Sequence, residues 1–185
     1  ITASNSAVLN YHYDPKGNVR PWDRTLYIKV AQGFLREGDT ITVTFGDRSG
    51  GSPGMRLQTF CEESYEFHTL IDPIATYCYQ PMLDQPVIKI VPGKPDRYLA
   101  VAPSIRAVHE VFSVKFKGED KWGNPSDQCD AVFYPRATYP VQGLPDKITI
   151  RPGEFFGIMD DLSVAQPCDL HIDFLDDTGA VIFRT

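Results

Sequence analysis

The sequence predicts an all-β chain of two antiparallel β-sandwich domains in tandem, on three observations. Apolar residues recur with period two, not 3.6. Fourteen glycines and fifteen prolines are spread over 185 residues, at points that interrupt short apolar runs. No segment offers an apolar i, i+3, i+4, i+7 face of helical length with caps, which argues against βαβ units and a parallel sheet.

The clearest alternation is Thr40-Ile41-Thr42-Val43-Thr44-Phe45. It places Ile41, Val43 and Phe45 on one face of a half-buried strand and three threonines on the other. Leu26, Ile28 and Val30 repeat the pattern, as do Phe112, Val114 and Phe116, and then Leu170, Ile172 and Phe174. Shorter strand candidates cover residues 8–13, 57–60, 65–71, 87–91, 98–102, 131–134, 147–150, 154–158 and 181–184. Turn signals separate them, among them Pro15-Lys16-Gly17-Asn18, Pro92-Gly93, Gly123-Asn124-Pro125 and Asp177-Thr178-Gly179. About thirteen short strands are too many for one seven-stranded sandwich and suit two. The weakly patterned stretch after Ala102, with Pro103 ending one strand, sets the expected domains at 1–102 and 103–185. One larger double sheet of jelly-roll type is the alternative.

Composition narrows the function. Hydrophobic residues make up 42% and charged residues 23%, enough for a real core. With 18 Lys+Arg against 24 Asp+Glu and no basic run, a role in gripping nucleic acid is not expected. No window holds the ~18 consecutive apolar residues of a membrane helix, so no membrane span is expected. The chain opens on Ile1 rather than Met, as expected where the start of the reading frame lies elsewhere. Cys61, Cys78, Cys129 and Cys168 form no C-x-x-C pair, and reduced, partly buried thiols are expected.

The strongest local departure from average composition is residues 46–56, with four glycines and two arginines directly after a strand pattern. Successive glycine amides can line an anion site, and Arg48, Ser49, Gly50, Gly51 and Arg56 are the candidate binding residues, set against a plain strand connection. The G-x-x-x-x-G-K-[ST] nucleotide loop is absent. Trp22 and Trp122 join the candidates because large aromatics on a small protein suit an interface. Tyr11, Tyr13, Tyr77 and Tyr79 with the two tryptophans could instead stack sugars or pack a core.

Asp169, His171 and Asp173 fall at i, i+2 and i+4 and so share a strand face, roughly 6–7 Å between neighbours. A solvated face is the expectation there, with metal binding as the alternative. His12, His68 and His109 are isolated, and neither H-x-H nor H-E-x-x-H nor G-x-S-x-G occurs. The paired acids Glu62-Glu63 and Asp160-Asp161 read as turn or edge residues. No catalytic residue and no cofactor is expected in this chain.

Two stretches go beyond generic β patterning. Trp22-Asp23-Arg24-Thr25-Leu26-Tyr27-Ile28-Lys29-Val30, followed by Gly38-Asp39-Thr40-Ile41-Thr42-Val43 and the glycine-rich loop, forms one; Glu119-Asp120-Lys121-Trp122-Gly123-Asn124-Pro125 is the other. From about Val19 onward the chain resembles the N-terminal region of a bacterial family of unknown function whose members look like metal-dependent hydrolases. There the region precedes a domain similar to the PHP (polymerase and histidinol phosphatase) fold. The Asp-x-Trp-Gly-Asn-Pro segment also resembles the turn of bacterial Ig-like repeats.

The resemblance implies two Ig-like sandwiches acting as a non-catalytic accessory region or subunit that supports or gates a hydrolase active site. The divalent metal is then expected in the partner catalytic domain, a PHP-like domain or subunit following Thr185. Oligomer formation stays open, and a cytoplasmic location is favoured over a periplasmic one. A free-standing carbohydrate- or protein-binding module is the alternative, and a hydrolase complete in this chain a third.

Overall fold

The computed structural model describes residues 1–18, 20 and 22–185. Val19, where the family resemblance begins, lies outside the described residues. The strands are β1 (Thr2–Ala3), β2 (Val8–Asp14), β3 (Thr25–Gln32), β4 (Ile41–Thr42), β5 (Glu62–Glu66), β6 (Leu70–Ile71), β7 (Gln80–Pro81), β8 (Val87–Ile90), β9 (Arg97–Val101), β10 (Phe112–Glu119), β11 (Ala131–Ala137), β12 (Ile148–Ile150), β13 (Gly157–Leu162), β14 (Ile172–Leu175) and β15 (Val181–Arg184). Every strand pair is antiparallel, and the described residues contain no helix. The all-β expectation holds.

Two compact units divide the chain: Ile1–Gln58 with Phe67–Pro86, and Thr59–Glu66 with Val87–Thr185. The strand expected to close a first domain at residue 102 is β9, and it pairs with β10 from Lys115↔Val101 to Glu119↔Arg97.

In the second unit two sheets carry the core, with strand orders β13-β10-β9 and β12-β11-β14-β15. Their inward side chains meet in one cluster that includes Phe112, Val114 and Phe116 of β10, Phe133 of β11, Ile148 and Ile150 of β12, and Ile172 and Phe174 of β14. The alternation read in residues 112–116 is this burial pattern. Phe174 stacks on Phe183 at 4.3 Å, and Tyr98 meets Phe133 edge-on at 4.9 Å. Two glycines are needed for close packing: a Cβ at Gly118 would run into the Cys129 sulfur, and one at Gly157 into the Phe116 ring. On β13, Asp160 and Asp161 together oppose one residue of β10, and Asp161 takes a positive φ of 58°. The paired acids therefore mark a bulge on an edge strand. β5 and β8 form a separate two-stranded ladder within this unit.

The first unit is built differently. Its ladders are two-stranded: β1 with β4, β2 with β3, and β6 with β7. The β2–β3 ladder is the longest, and its β-branched and aromatic residues suit a pleated surface. Leu9, Tyr11 and Tyr13 pair with Val30, Ile28 and Leu26 and share one face with them. Among the described residues of this unit none is buried. The alternation at residues 40–45 yields only the two-residue β4, with Phe45 52% exposed, and residues 57–60 form no strand. Phe45 stacks on Phe67 at 4.7 Å without being covered.

Candidate functional site

The glycine-rich loop at residues 46–56 is a self-contained turn cluster on the first unit. Asp47 Oδ1 accepts the Ser49 amide at 2.9 Å, the Arg48 carbonyl accepts the Gly51 amide at 3.1 Å, and Ser52 Oγ accepts the Gly54 amide at 3.1 Å. The Ser49 bonds, backbone first, hold the Asp47 carboxyl below its ordinary value. Gly46, Gly51 and Gly54 take positive φ angles of 76°, 80° and 89°, which is why glycine recurs. The amides of Ser49, Gly51 and Gly54 thus donate within the loop. Arg48, with its aliphatic stem against Gly54, and Arg56 are both exposed.

Trp22 lies in the same unit, 48% exposed, with its ring 5.1 Å from His68. Trp122 belongs to the second unit, half exposed, under a cation–π contact from Lys121 Nζ at 5.0 Å. Trp122 sits at the tip of a loop built around Asp120. The Asp120 carboxylate accepts from the amides of Gly93 (3.1 Å), Trp122 (2.9 Å) and Asn124 (3.0 Å), and from Asn124 Nδ2 at 2.9 Å. Burial pushes this carboxyl up; the bonds from the Asn124 side chain and the three amides more than reverse it, leaving it at about 2. Asn124 also donates to the Thr59 carbonyl at 2.8 Å and accepts from the Cys61 amide at 3.0 Å, tying the start of β5 to the loop. Beside it Glu119, almost wholly buried, pairs with Lys117 at 2.8 Å and Arg97 at 2.7 Å, and these cations hold its carboxyl below the ordinary value against desolvation. The Asp-x-Trp-Gly-Asn-Pro segment is a structural staple whose tip carries the tryptophan.

No family model, curated protein or solved structure matches this chain.

Asp169 and His171 face solvent, while Asp173 is drawn into an ion pair with Arg184, whose Nη2 lies 3.0 Å from Asp173 Oδ2. That hydrogen bond is the main reason the Asp173 carboxyl lies below its ordinary value. Among the described residues no three His, Cys, Asp or Glu side chains are placed to hold a metal ion. Likewise no helix among them is long and apolar enough to cross a membrane. The four cysteines are free, with Cys129 in the core. An open depression of about 460 Å³ lies along β13, lined among others by Lys147, Glu154, Phe156 and Asp160.

Sequence reading missed the β6–β7 hairpin. Its loop holds Ile74 and Tyr77, 77% and 87% exposed, around an Asp72 carboxylate that gathers the loop amides. The Asp72-Pro73 step was the available signal, since Asp at the start of a turn often accepts the amide two residues on; here it also reaches those of Thr76 and Tyr77.

Proposed function

We propose that this chain is a non-catalytic β accessory region that works by holding a partner protein, the catalytic part of a metal-dependent hydrolase whose active site it supports or gates. One observation carries the reading: the first unit leaves many of its large apolar side chains in solvent and buries none of those described. Tyr11, Tyr13, Phe34, Phe45, Leu70 and Tyr77 are all exposed in a unit none of whose described residues is buried. So many exposed apolar side chains beside so little core support a role in binding. Charge points the same way: the first unit carries seven basic and seven acidic residues, the second eleven and seventeen, so the whole formal charge of −6 falls on the second. A neutral apolar surface associates without electrostatic penalty.

Within this reading the second unit is an Ig-like sandwich, three strands facing four over one core, and the first is the docking module. The divalent metal belongs to the partner. Tyr11 and Tyr13, two residues apart on one face, also raise a carbohydrate platform, but their cross-strand partners Ile28 and Leu26 offer no polar group to hold hydroxyls. A protein surface fits better.

The test is to purify the chain with and without the polypeptide encoded directly downstream of Thr185, and to assay phosphate, sulfate, ester and amide substrates with zinc or manganese present. The expected result is no turnover by the chain alone and a stable complex with the downstream polypeptide. Turnover by the chain alone, abolished by a substitution within it, would overturn the proposal.

A further inference from the structure

We infer that the β6–β7 hairpin is a preorganised anchor that enters an apolar pocket, rimmed by basic side chains, on the partner protein; this rests on the reading above that the first unit holds such a partner. The hairpin and the bend directly after it contain the most exposed large apolar residues of the unit: Leu83, two residues past β7, is fully exposed, Tyr77 87% and Ile74 77%, with Leu70, Ile71 and Tyr79 also in solvent. Side chains this exposed contribute nothing to a core.

The hairpin is nevertheless rigidly built. Asp72 Oδ1 accepts from the amides of Ile74 (3.3 Å) and Thr76 (3.1 Å) and from Thr76 Oγ1 (3.3 Å), while Oδ2 accepts from the Tyr77 amide at 2.7 Å. Desolvation of this carboxyl opposes its ionisation, and the Thr76, Tyr77 and Ile74 bonds outweigh it, so it stays charged and keeps its grip. Ala75 and Tyr77 are held at φ of 53° and 60°, a region that residues with side chains adopt rarely and only when their surroundings impose it. At the other end Gln85 braces the base: its Oε1 accepts the Thr69 amide at 2.6 Å, and its Nε2 donates to the carbonyls of Thr69 and Met82 at 3.2 and 3.0 Å.

A loop locked at tip and base loses little freedom on binding, and so keeps more of the contact energy as affinity. Tyrosine adds a large contact surface with few rotatable bonds. The occupant's chemistry follows from charge. Residues Phe67–Pro86 carry two acids, Asp72 and Asp84, and no Lys or Arg. A pocket with an apolar floor for Tyr77 and Leu83 and a cationic rim for the exposed Asp84 carboxylate and the loop's net negative charge is the complement. A lipid surface is disfavoured, because an anionic loop without basic residues has nothing to draw it to headgroups.

The experiment measures affinity of the whole chain for the polypeptide encoded directly downstream of Thr185. Tyr77→Ser and Leu83→Ser should each weaken binding at least about tenfold while leaving the melting temperature unchanged, as expected of exposed anchors. Asp72→Ala should speed amide exchange at Thr76 and Tyr77 and weaken binding by a similar factor, with Asp72→Asn falling between. Val181→Ser, at an exposed position of β15, should bind as wild type does. Binding that persists unchanged in Tyr77→Ser and Leu83→Ser overturns the anchor and leaves the accessory reading standing. Absence of binding by the wild-type chain overturns both. Unaltered exchange at Tyr77 in Asp72→Ala overturns preorganisation.

Discussion

Replacing Asp120 by Asn keeps the side-chain shape and removes the charge that four groups donate to. The carboxyl moves from an ordinary 3.8 to about 2 in the fold. At 1.36 kcal/mol per pH unit that is about 2.5 kcal/mol of preference for the ionised form. Solvent near the loop screens part of it, so about 2 kcal/mol is the expected loss in Asp120→Asn at pH 7. The sign follows from the direction of the shift. A carboxyl with a depressed folded pKa adds stability that is present above its unfolded value and disappears as pH falls through its folded value. The gap between wild type and variant should therefore be widest above about pH 5 and narrow by about 1.5 kcal/mol as pH falls to 2, where the carboxyl is half protonated. Urea unfolding at a series of pH values, followed by Trp122 fluorescence in a Trp22→Phe background, measures it. A gap that does not narrow between pH 5 and 2 would refute the electrostatic account of the loop, leaving only shape.

Phe174→Ala should cost the second unit about 3–5 kcal/mol, because the ring is fully buried and stacked on Phe183, and the cavity collapses only in part; denaturant melts monitored by near-UV circular dichroism check this. Metal analysis of the purified chain should find no stoichiometric zinc or manganese, and His171→Ala should leave metal content unchanged, since Arg184 already occupies Asp173. A stoichiometric ion lost in that variant would restore the Asp169, His171 and Asp173 cluster as a site.

Period-two patterning reveals which side chains share a face; it does not reveal whether anything covers that face. At residues 112–116 the two readings coincide, because a second sheet lies over Val114 and Phe116. At residues 40–45 they part. The same alternation yields a two-residue strand, and Phe45 remains in solvent. The glycine-rich loop was visible because composition alone marks it, and its glycines do occupy positive φ. What could not be read was where its amides point: those of Ser49, Gly51 and Gly54 donate within the loop. At Asp120 and Asp72 the sequence marks a turn, by Gly123-Asn124-Pro125 and by Asp72-Pro73, but not how many donors converge on the acid, which is a property of the folded loop.

The chain passes from one unit to the other three times, after Gln58, after Glu66 and after Pro86. A ribosome therefore releases β5 before its partner β8 exists. At about 5–20 residues per second, the twenty residues between them keep β5 waiting for one to several seconds, an unpaired edge in a nascent chain. Those residues are the hairpin that completes the first unit. No single cut releases either unit whole, so a shortened gene would yield a strand without its mate, and recombination could exchange this region only as one piece.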